Sequence, residues 1–478
     1  MKKDSFYITT TIPYVNADPH IGFALELVLS DAIARYERLK GSEVFFSTGT
    51  DEYGQKIWEG SVQEDKNVEE YVDHYAKKFI ELKDILNLSY NNFIRTTSMG
   101  HIEAAQEFWR LCDKKGDIYK KIYRGLYCVG CEKFLTERDL MDGVCSLHPK
   151  LVPEVVEEEN YFFRLKNYKK QLLEYLANKK VITPEWRRTE AISFVESDME
   201  DFSISRDKKR TPWGIPIPGD DRQVMYVWFG AFINYISTLG WPNSKGNFEK
   251  FWVDGVTVQI AGKDMVKFQS VMWQGMLMSA GMPTTDHIVY HGFITGEGGI
   301  KMSKSLGNVI NPNAIVSEYG TDALRYFLLR EISPFEDSPF TMERFKEAYN
   351  AGLANGLGNL ASRILTLSEK YLEKCPEIPE HSIPQEWKDH LNKFEIQKAV
   401  NFTWSEIGEL DKFIQETEPF KIIKIDLEKG KKLISDLVLR LYTIGRMLNP
   451  IMPETNITLK KLIRENKKPE APLFPRKD

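Results

Sequence analysis

The period of hydrophobic and polar positions changes several times along the chain. The opening FYITTTIPYV, residues 6–15, is short, β-branched and aromatic. A loop, Asn16-Ala17-Asp18-Pro19, follows it, and then an apolar-periodic segment from Gly22 to about Leu39, which together predict strand, loop and helix. After the turn signal Gly41-Ser42 a second β-run, Glu43 to Thr48, completes a βαβ unit and implies a parallel sheet with a right-handed crossover. Two long amphipathic segments, near 67–87 and 99–115, come next. Residues 116 to about 222 mix short strands, the run Glu157-Glu158-Glu159 and the Pro-rich WGIPIPGDD at 213–221, and are read as an inserted domain. The α/β pattern returns with QVMYVWF at 223–229, VTVQIAGKD at 256–264 and HIVYHGF at 287–293. Beyond about residue 345 the strands stop. Leu353, Leu357, Leu360, Ile364 and Leu367 recur at spacings of three and four, and helical stretches continue to about residue 449. The expected division is 1–115 and 223–300 for the two halves of an α/β sheet domain, 116–222 for the insertion, 301–345 for a connecting region and 346–478 for an α-helical bundle.

Composition narrows the class. At 478 residues with 42% hydrophobic and 28% charged residues, the chain is globular rather than collagen-like, disordered or membrane-embedded. It opens without an apolar signal segment or Arg-rich transit peptide and contains no 18-residue apolar run, so a cytoplasmic protein with no membrane partner is expected. The net charge of −5 argues against a protein that coats nucleic acid. From Leu459 to Asp478, however, seven cations face three acids. Such an end either tracks phosphates or is simply solvated.

Three motifs carry chemistry. Cys128-x-x-Cys131, thirteen residues, then Cys145-x-x-His148 is a knuckle pair that can bring three thiolates and an imidazole around one tetrahedral Zn2+. Closed coordination leaves no position for a reactive water, so the site reads as structural. Cys112 and Cys375 are isolated and read as core or surface residues. After the first strand comes HIGF at 20–23, with Gly22 opening a helix whose amides and dipole suit a bound phosphate. His-x-Gly alone is a common pattern and also fits a plain turn histidine. Residues 301–305 read KMSKS, flanked by Gly298-Gly299 and Leu306-Gly307-Asn308, a cationic loop able to close on a polyphosphate.

HIGF after a first strand, GKD at 262–264 and KMSKS together resemble the signature of class I aminoacyl-tRNA synthetases. PYVNADPHIG at 13–22, TGTDEYG at 48–54, YVWF at 226–229 and GLGNLASR at 356–363 resemble the methionyl-tRNA synthetase family in particular, and the likeness runs from Phe6 to about Met452. The resemblance implies a Rossmann-like catalytic domain, split by the zinc-bearing insertion and followed by an anticodon-binding bundle. It also implies attack of the methionine carboxylate on the α-phosphorus of ATP, then transfer of methionine to the 3′ end of tRNA(Met), initiator included. Neither step needs a protein nucleophile, so positioning and charge stabilisation should supply the rate. By motif position, His20 would stabilise the pentavalent phosphorus, Lys301 and Lys304 the β- and γ-phosphates, and Gly22, Gly262 and Asp264 would hold the rest of the nucleotide, with Mg2+ accompanying ATP. Asp51 would bind the substrate ammonium, while Ile12, Tyr14, Trp228, Ala231, Tyr235 and His291 would wrap the thioether from the strand ends. Asn359 and Arg363, four apart on one helix face, would read the first anticodon base, with Phe420 stacking on it.

Four positions depart from the family pattern: Phe23 in place of a second histidine, Gly230 in place of an acid after YVWF, Tyr53 in place of a frequent histidine, and Phe420 in place of a tryptophan. Two other readings stay open, a catalytically idle tRNA-binding paralogue and a class I synthetase for another amino acid. The chain stops soon after the bundle, without the extra domain that makes some family members dimeric, and a monomer is expected.

Overall fold

The computed structural model describes residues 4–128, 133–135, 140–141, 143–146, 151–244, 246–300, 302, 309–379 and 383–477. The chain divides into two compact units, the first made of Met1–Pro19, Ser42–Glu81 and Tyr90–Tyr290, the second of His20–Gly41, Leu82–Ser89 and His291–Asp478.

The first unit is organised on a six-stranded parallel sheet. Its strands are β1 (Ser5–Thr10), β2 (Glu43–Thr50), β3 (Asn92–Arg95), β4 (Ile182–Thr183), β5 (Val256–Gly262) and β6 (His287–His291), in the spatial order β3-β2-β1-β5-β6-β4. β1 pairs in parallel with β2 on one side and β5 on the other, so the strand order reverses between β1 and β5. The central strands are buried along most of their length, and their buried positions include Thr9, Thr10, Ser47, Thr48, Thr257 and Gln259 beside the apolar residues. Three antiparallel strands, Asp220–Met225 flanked by Ser205–Asp207 and Pro216–Ile217, form a separate sheet. A further sheet is built on the long pairing of Ile118–Cys128 with Glu154–Phe163. The core gathers Phe108, Trp109, Phe229, Phe232, Tyr235, Trp252 and Trp273.

Several expectations shift here. QVMYVWF does not continue the parallel sheet: its first half ends the antiparallel strand Asp220–Met225, and Val227–Gly230 is a helical turn. A run of seven mostly apolar residues fits either period, and the chain changes period inside it. Within the segment read as an insertion, Ile182–Thr183 pairs in parallel with β6, Ile288 opposite Ile182 and Val289 opposite Thr183. A two-residue strand has no period to read. The helix Gln55–Gln63 went unread because of its length, and the last helix, Pro453–Glu465, carries the helical region well past residue 449.

The second unit is mainly helical, with one short parallel strand pair, Ile294–Thr295 beside Ser338–Pro339. The helix Ile21–Leu39 packs in it with Thr321–Arg330, and the bundle comprises Asn359–Tyr371, Ile396–Thr417, Leu427–Met447 and Pro453–Glu465. The predicted apolar stripe is its core at Leu353, Leu357, Leu360 and Ile364. The basic C-terminal stretch is anchored rather than loose: Phe474 is buried, Tyr349 donates to the Pro475 carbonyl at 2.9 Å, and Asn350 donates to the Lys477 carbonyl at 2.7 Å.

A buried ion pair organises this unit. Asp31 and Arg325 both have fully buried side chains, 2.8 Å apart. The guanidinium also donates to the carbonyls of Ile451 (2.9 Å), Pro450 (3.0 Å) and Leu86 (3.1 Å). Asp31 accepts in addition from Arg35 at 2.7 Å and from the Ser89 amide and hydroxyl, each at 2.6 Å. Burial alone would raise the Asp31 pKa, but Arg325, Arg35 and the Ser89 hydroxyl hold it below its ordinary 3.8. A carboxyl whose folded pKa is depressed stabilises the fold above its unfolded pKa and loses that contribution as pH falls through the folded value. Arg325→Ala leaves the carboxylate buried without its partner, and we expect a loss of about 3–5 kcal/mol in chemical denaturation at neutral pH. The deficit should shrink on acidification below pH 3.8. An unchanged midpoint would show that the pair is not structural.

Candidate active site

In the first unit the expected residues collect at the carboxyl ends of β1, β2 and β5, where the strand order reverses, the usual place for a ligand in an open α/β sheet. Past the end of β1, the Thr11 amide donates to Ile260 of β5 at 3.2 Å. Tyr14 and Asp51 form a parallel bridge, with the Asp51 amide donating to Pro13 and the Val15 amide to Asp51 at 2.8 and 3.3 Å. Ile12 and Tyr14 are half-buried and Asp51 is buried. Gly262 ends β5 and is buried, while Asp264, in the turn after it, is exposed.

Trp228, Ala231 and Tyr235 lie on consecutive short helical turns, Val227–Gly230, Ala231–Ile233 and Asn234–Ser237, and not on strand ends as expected. Trp228 is half-buried and stacks on Phe268, ring centroids 4.2 Å apart and planes 16° from parallel. Its indole nitrogen is buried with no hydrogen-bond partner among the described residues. Tyr235 is buried, donates to Gln269 Oε1 at 3.1 Å and accepts on its carbonyl from the Tyr7 hydroxyl at 2.8 Å.

The second unit holds His20 at the N-cap of the helix Ile21–Leu39. The Gly22 amide donates to His20 Nδ1 at 3.0 Å. With Nδ1 accepting, the proton of the neutral imidazole sits on Nε2, which becomes a donor. Glycine is required for this latch, because a Cβ on residue 22 would stand 2.8 Å from the ring carbon Cε1 and 2.9 Å from Nδ1. Phe23 packs on the same imidazole at 4.3 Å between centroids, so it steadies His20 by contact where a second histidine would have offered a donor. His291 is buried, and both of its nitrogens face acceptors, Nε2 to Glu26 Oε2 at 2.8 Å and Nδ1 to the Gly292 carbonyl at 2.7 Å. That arrangement suits a doubly protonated ring paired with a carboxylate.

Lys301 and Lys304 lie outside the described residues, but their flanks are placed. The Gly296 amide donates to the Ile300 carbonyl at 2.7 Å, and on the far side the Ile21 amide, next to His20, donates to the Ile310 carbonyl at 3.0 Å.

In the bundle, Asn359 opens the helix Asn359–Tyr371 and is exposed, and Arg363 is ion-paired with Asp411. Phe420, on the helix Pro419–Ile425, is 39% exposed. Cys128 and Cys145 are both buried in one small cluster with Leu135, but Cys131 and His148 lie outside the described residues. Among the described residues no group of three or more His, Cys, Asp or Glu side chains is placed to hold a metal ion. Cys112 is core, its thiol pushed up to about 12 by burial.

The class I tRNA synthetase family of the methionine type, "tRNA synthetases class I (M)", matches residues 6–148 and 138–365. The chain is 39% identical over 470 residues to the methionine–tRNA ligase of Caldanaerobacter subterraneus, covering 95% of this chain and 73% of that one. It is 36% identical over 484 residues to the ligase of Thermotoga maritima, covering 97% and 76%. The chain belongs to the methionyl-tRNA synthetases. Its fold matches that of Mycobacterium tuberculosis methionyl-tRNA synthetase in complex with methionyl-adenylate with a TM-score of 0.92, at 33% identity over the full length of both chains. This synthetase is accordingly a methionine–tRNA ligase of class I, acting on methionine, ATP and tRNA(Met).

Three supporting groups in this methionyl-tRNA synthetase escaped the sequence reading. Glu52, fully buried, holds Arg95 through both oxygens at 2.6 and 2.9 Å directly beside Asp51. Adjacent acids at a strand end were the available signal. Glu26, one helical turn and a half from His20, gives no sequence sign of its tie to His291. His101 is fully buried behind the Trp228–Tyr235 turns, its Nδ1 2.9 Å from the Ser237 hydroxyl, and burial pushes its pKa down to about 4. A base with a depressed folded pKa stays neutral while its unfolded counterpart takes up a proton, so stability falls as pH drops from 6.5 toward 4. His101→Gln, which retains a polar partner for Ser237, should remove about 3 kcal/mol of that pH dependence in denaturation series run between those limits. An identical slope in the variant would show that His101 does not set it.

Proposed function

We propose that activation is carried by binding and charge stabilisation from this set of side chains, with no covalent enzyme intermediate. Asp51 takes the α-ammonium of methionine. Ile12, Tyr14, Trp228, Ala231, Tyr235 and His291 enclose its thioether, where polarizable sulfur and aromatic rings attract each other. Gly22, Gly262 and Asp264 hold the nucleotide, and Mg2+ supplies charge neutralisation on the ATP phosphates.

The observation that carries this reading is the latched imidazole of His20. With Nδ1 committed to the Gly22 amide, Nε2–H is a neutral, oriented donor for the charge that grows on the α-phosphate oxygens. Lys301 and Lys304 act on the β- and γ-phosphates, a role supported by the hydrogen bond that ties their segment's end at Ile310 to Ile21. Asn359, Arg363 and Phe420 read the anticodon, Arg363 exchanging Asp411 for a base. No helix among the described residues is long and apolar enough to cross a membrane.

Pyrophosphate–ATP exchange across a panel of amino acids tests the assignment. Exchange should require methionine, and replacing Lys301 and Lys304 together by Ala should lower it at least about 10²-fold. Phe420→Ala should leave exchange intact and weaken tRNA charging by the about 1–3 kcal/mol of one stacked base. Exchange driven by leucine instead, or none with any amino acid, would overturn the specificity or the activity.

We infer a structural Zn2+ held by Cys128, Cys131, Cys145 and His148. Its support is the knuckle spacing together with two thiols, Cys128 and Cys145, buried in the same small cluster. Among the described residues that cluster comprises Cys128, Leu135 and Cys145, with Leu126 and Leu140 packed against it. Elemental analysis should find one zinc per chain. Cys128→Ser and Cys145→Ser should each lose it and lower the unfolding temperature. A stable chain with no bound metal would refute the site.

A further inference from the structure

Two adjacent acids follow β2, and the hydrogen bonds around them separate their roles. β2 and β3 pair in parallel as far as Thr50 opposite Arg95, and the Thr96 amide carries the ladder one step further by donating to the Thr50 carbonyl at 3.2 Å. Asp51 and Glu52 therefore lie beside Arg95, Thr96 and Thr97.

Glu52 is saturated. Its carboxylate accepts from the Thr50 hydroxyl at 2.7 Å, from Arg95 at 2.6 and 2.9 Å, and from the Thr97 hydroxyl. Its carbonyl accepts from the Trp213 indole at 2.6 Å, and its amide donates to the Thr96 hydroxyl oxygen at 2.8 Å. Side chain and main chain are both committed, and the charge is answered by a guanidinium. Glu52 is an anchor and not a ligand for a second cation.

Thr96 links that anchor to Asp51. It is 1% exposed. A hydroxyl that accepts still has one proton to give, and among the described residues the acceptor which that proton meets is Asp51 Oδ1, at 3.5 Å. The Tyr53 amide approaches the same oxygen, also at 3.5 Å. Neutral donors at that distance orient a carboxylate without cancelling its charge, whereas the shorter bonds from Arg95 cancel that of Glu52.

We propose that Thr96 is a positioning residue of the methionine site: its hydroxyl, held by the Glu52 amide, aims the Asp51 carboxylate at the substrate ammonium. The proposal rests on the assignment of that ammonium to Asp51. Thr96 itself touches no substrate, and its contribution is confined to ligands that carry the ammonium.

Calorimetric titration of the full chain with L-methionine and with its α-hydroxy counterpart, which carries a hydroxyl where methionine carries the ammonium, tests this. The unaltered protein should prefer methionine. Thr96→Val should weaken methionine at least about fivefold and leave the hydroxy acid unchanged. In pyrophosphate–ATP exchange the same variant should raise the KM for methionine and not that for ATP. Thr96→Ser keeps the hydroxyl and should restore the original values. An unchanged methionine affinity in Thr96→Val overturns the proposal. Equal weakening of both ligands, or a Ser variant as impaired as the Val variant, would show a merely structural role and overturn it too. Circular dichroism checks that Thr96→Val folds, and Thr96→Ala decides if it does not. Asp51→Asn separates the two claims. If it abolishes the preference for methionine while Thr96→Val retains it, the positioning role alone is overturned. If the preference survives Asp51→Asn, the assignment of the ammonium to Asp51 fails, and the role of Thr96 with it.

Discussion

A carboxylate cannot stay charged inside a protein unless fixed cations and donors surround it, and in the second unit that requirement falls on Asp31. Its neutralisation by Arg325 and Arg35, with the Ser89 amide and hydroxyl, binds the helix Ile21–Leu39 to the segment Leu86–Ser89 and to the helix Thr321–Arg330. Through the same guanidinium it reaches the turn at Pro450–Ile451. His20 and Glu26 stand on the helix so held. The ion pair holds the helix on which they stand, while the Gly22 amide orients the His20 ring and His291 holds the Glu26 carboxylate.

A buried parallel sheet keeps polar side chains inside it only where they satisfy one another, as Thr10 with Thr48 and Ser47 with Thr238 do, and the candidate site residues of the first unit collect instead beyond the strand ends. The bridge between Tyr14 and Asp51, the end of β5 at Gly262 and the helical turns carrying Trp228 and Tyr235 all follow from strands that stop together. Behind them sits a layer without direct substrate chemistry, in which Glu52 with Arg95, Gln269 with Tyr235 and His101 with Ser237 fix rotamers. Supporting layers of this kind decide whether side chains that touch a ligand are held closely enough to act.

Long elements with one dominant period were legible in the sequence. β1, the helix Ile21–Leu39, β5 and the Leu353-to-Ile364 stripe all appear where the pattern puts them. What escaped has a physical reason in each case. Ile182–Thr183 is too short to show a period, and YVWF is apolar on every side, so a helical turn and a strand look alike there. The partnership of Asp31 with Arg325 joins residues far apart in the chain, and so does that of Glu26 with His291; nothing local marks either. Among the candidate site residues, motif spacing located the strand-end and helix-cap positions. It gave no hint that His291 is tied to a carboxylate or that Arg363 is already paired.

The contact between the Gly22 amide and His20 has a consequence for how that ring meets an anion. A backbone N–H at the positive end of a helix draws electron density from Nδ1, and hydrogen bonds in series strengthen one another. The outer N–H is thereby made a better donor without the ring acquiring a formal charge. The imidazole thus acts as an extension of the peptide dipoles beneath it, and its tautomer is inherited from the main chain instead of being chosen by the solvent.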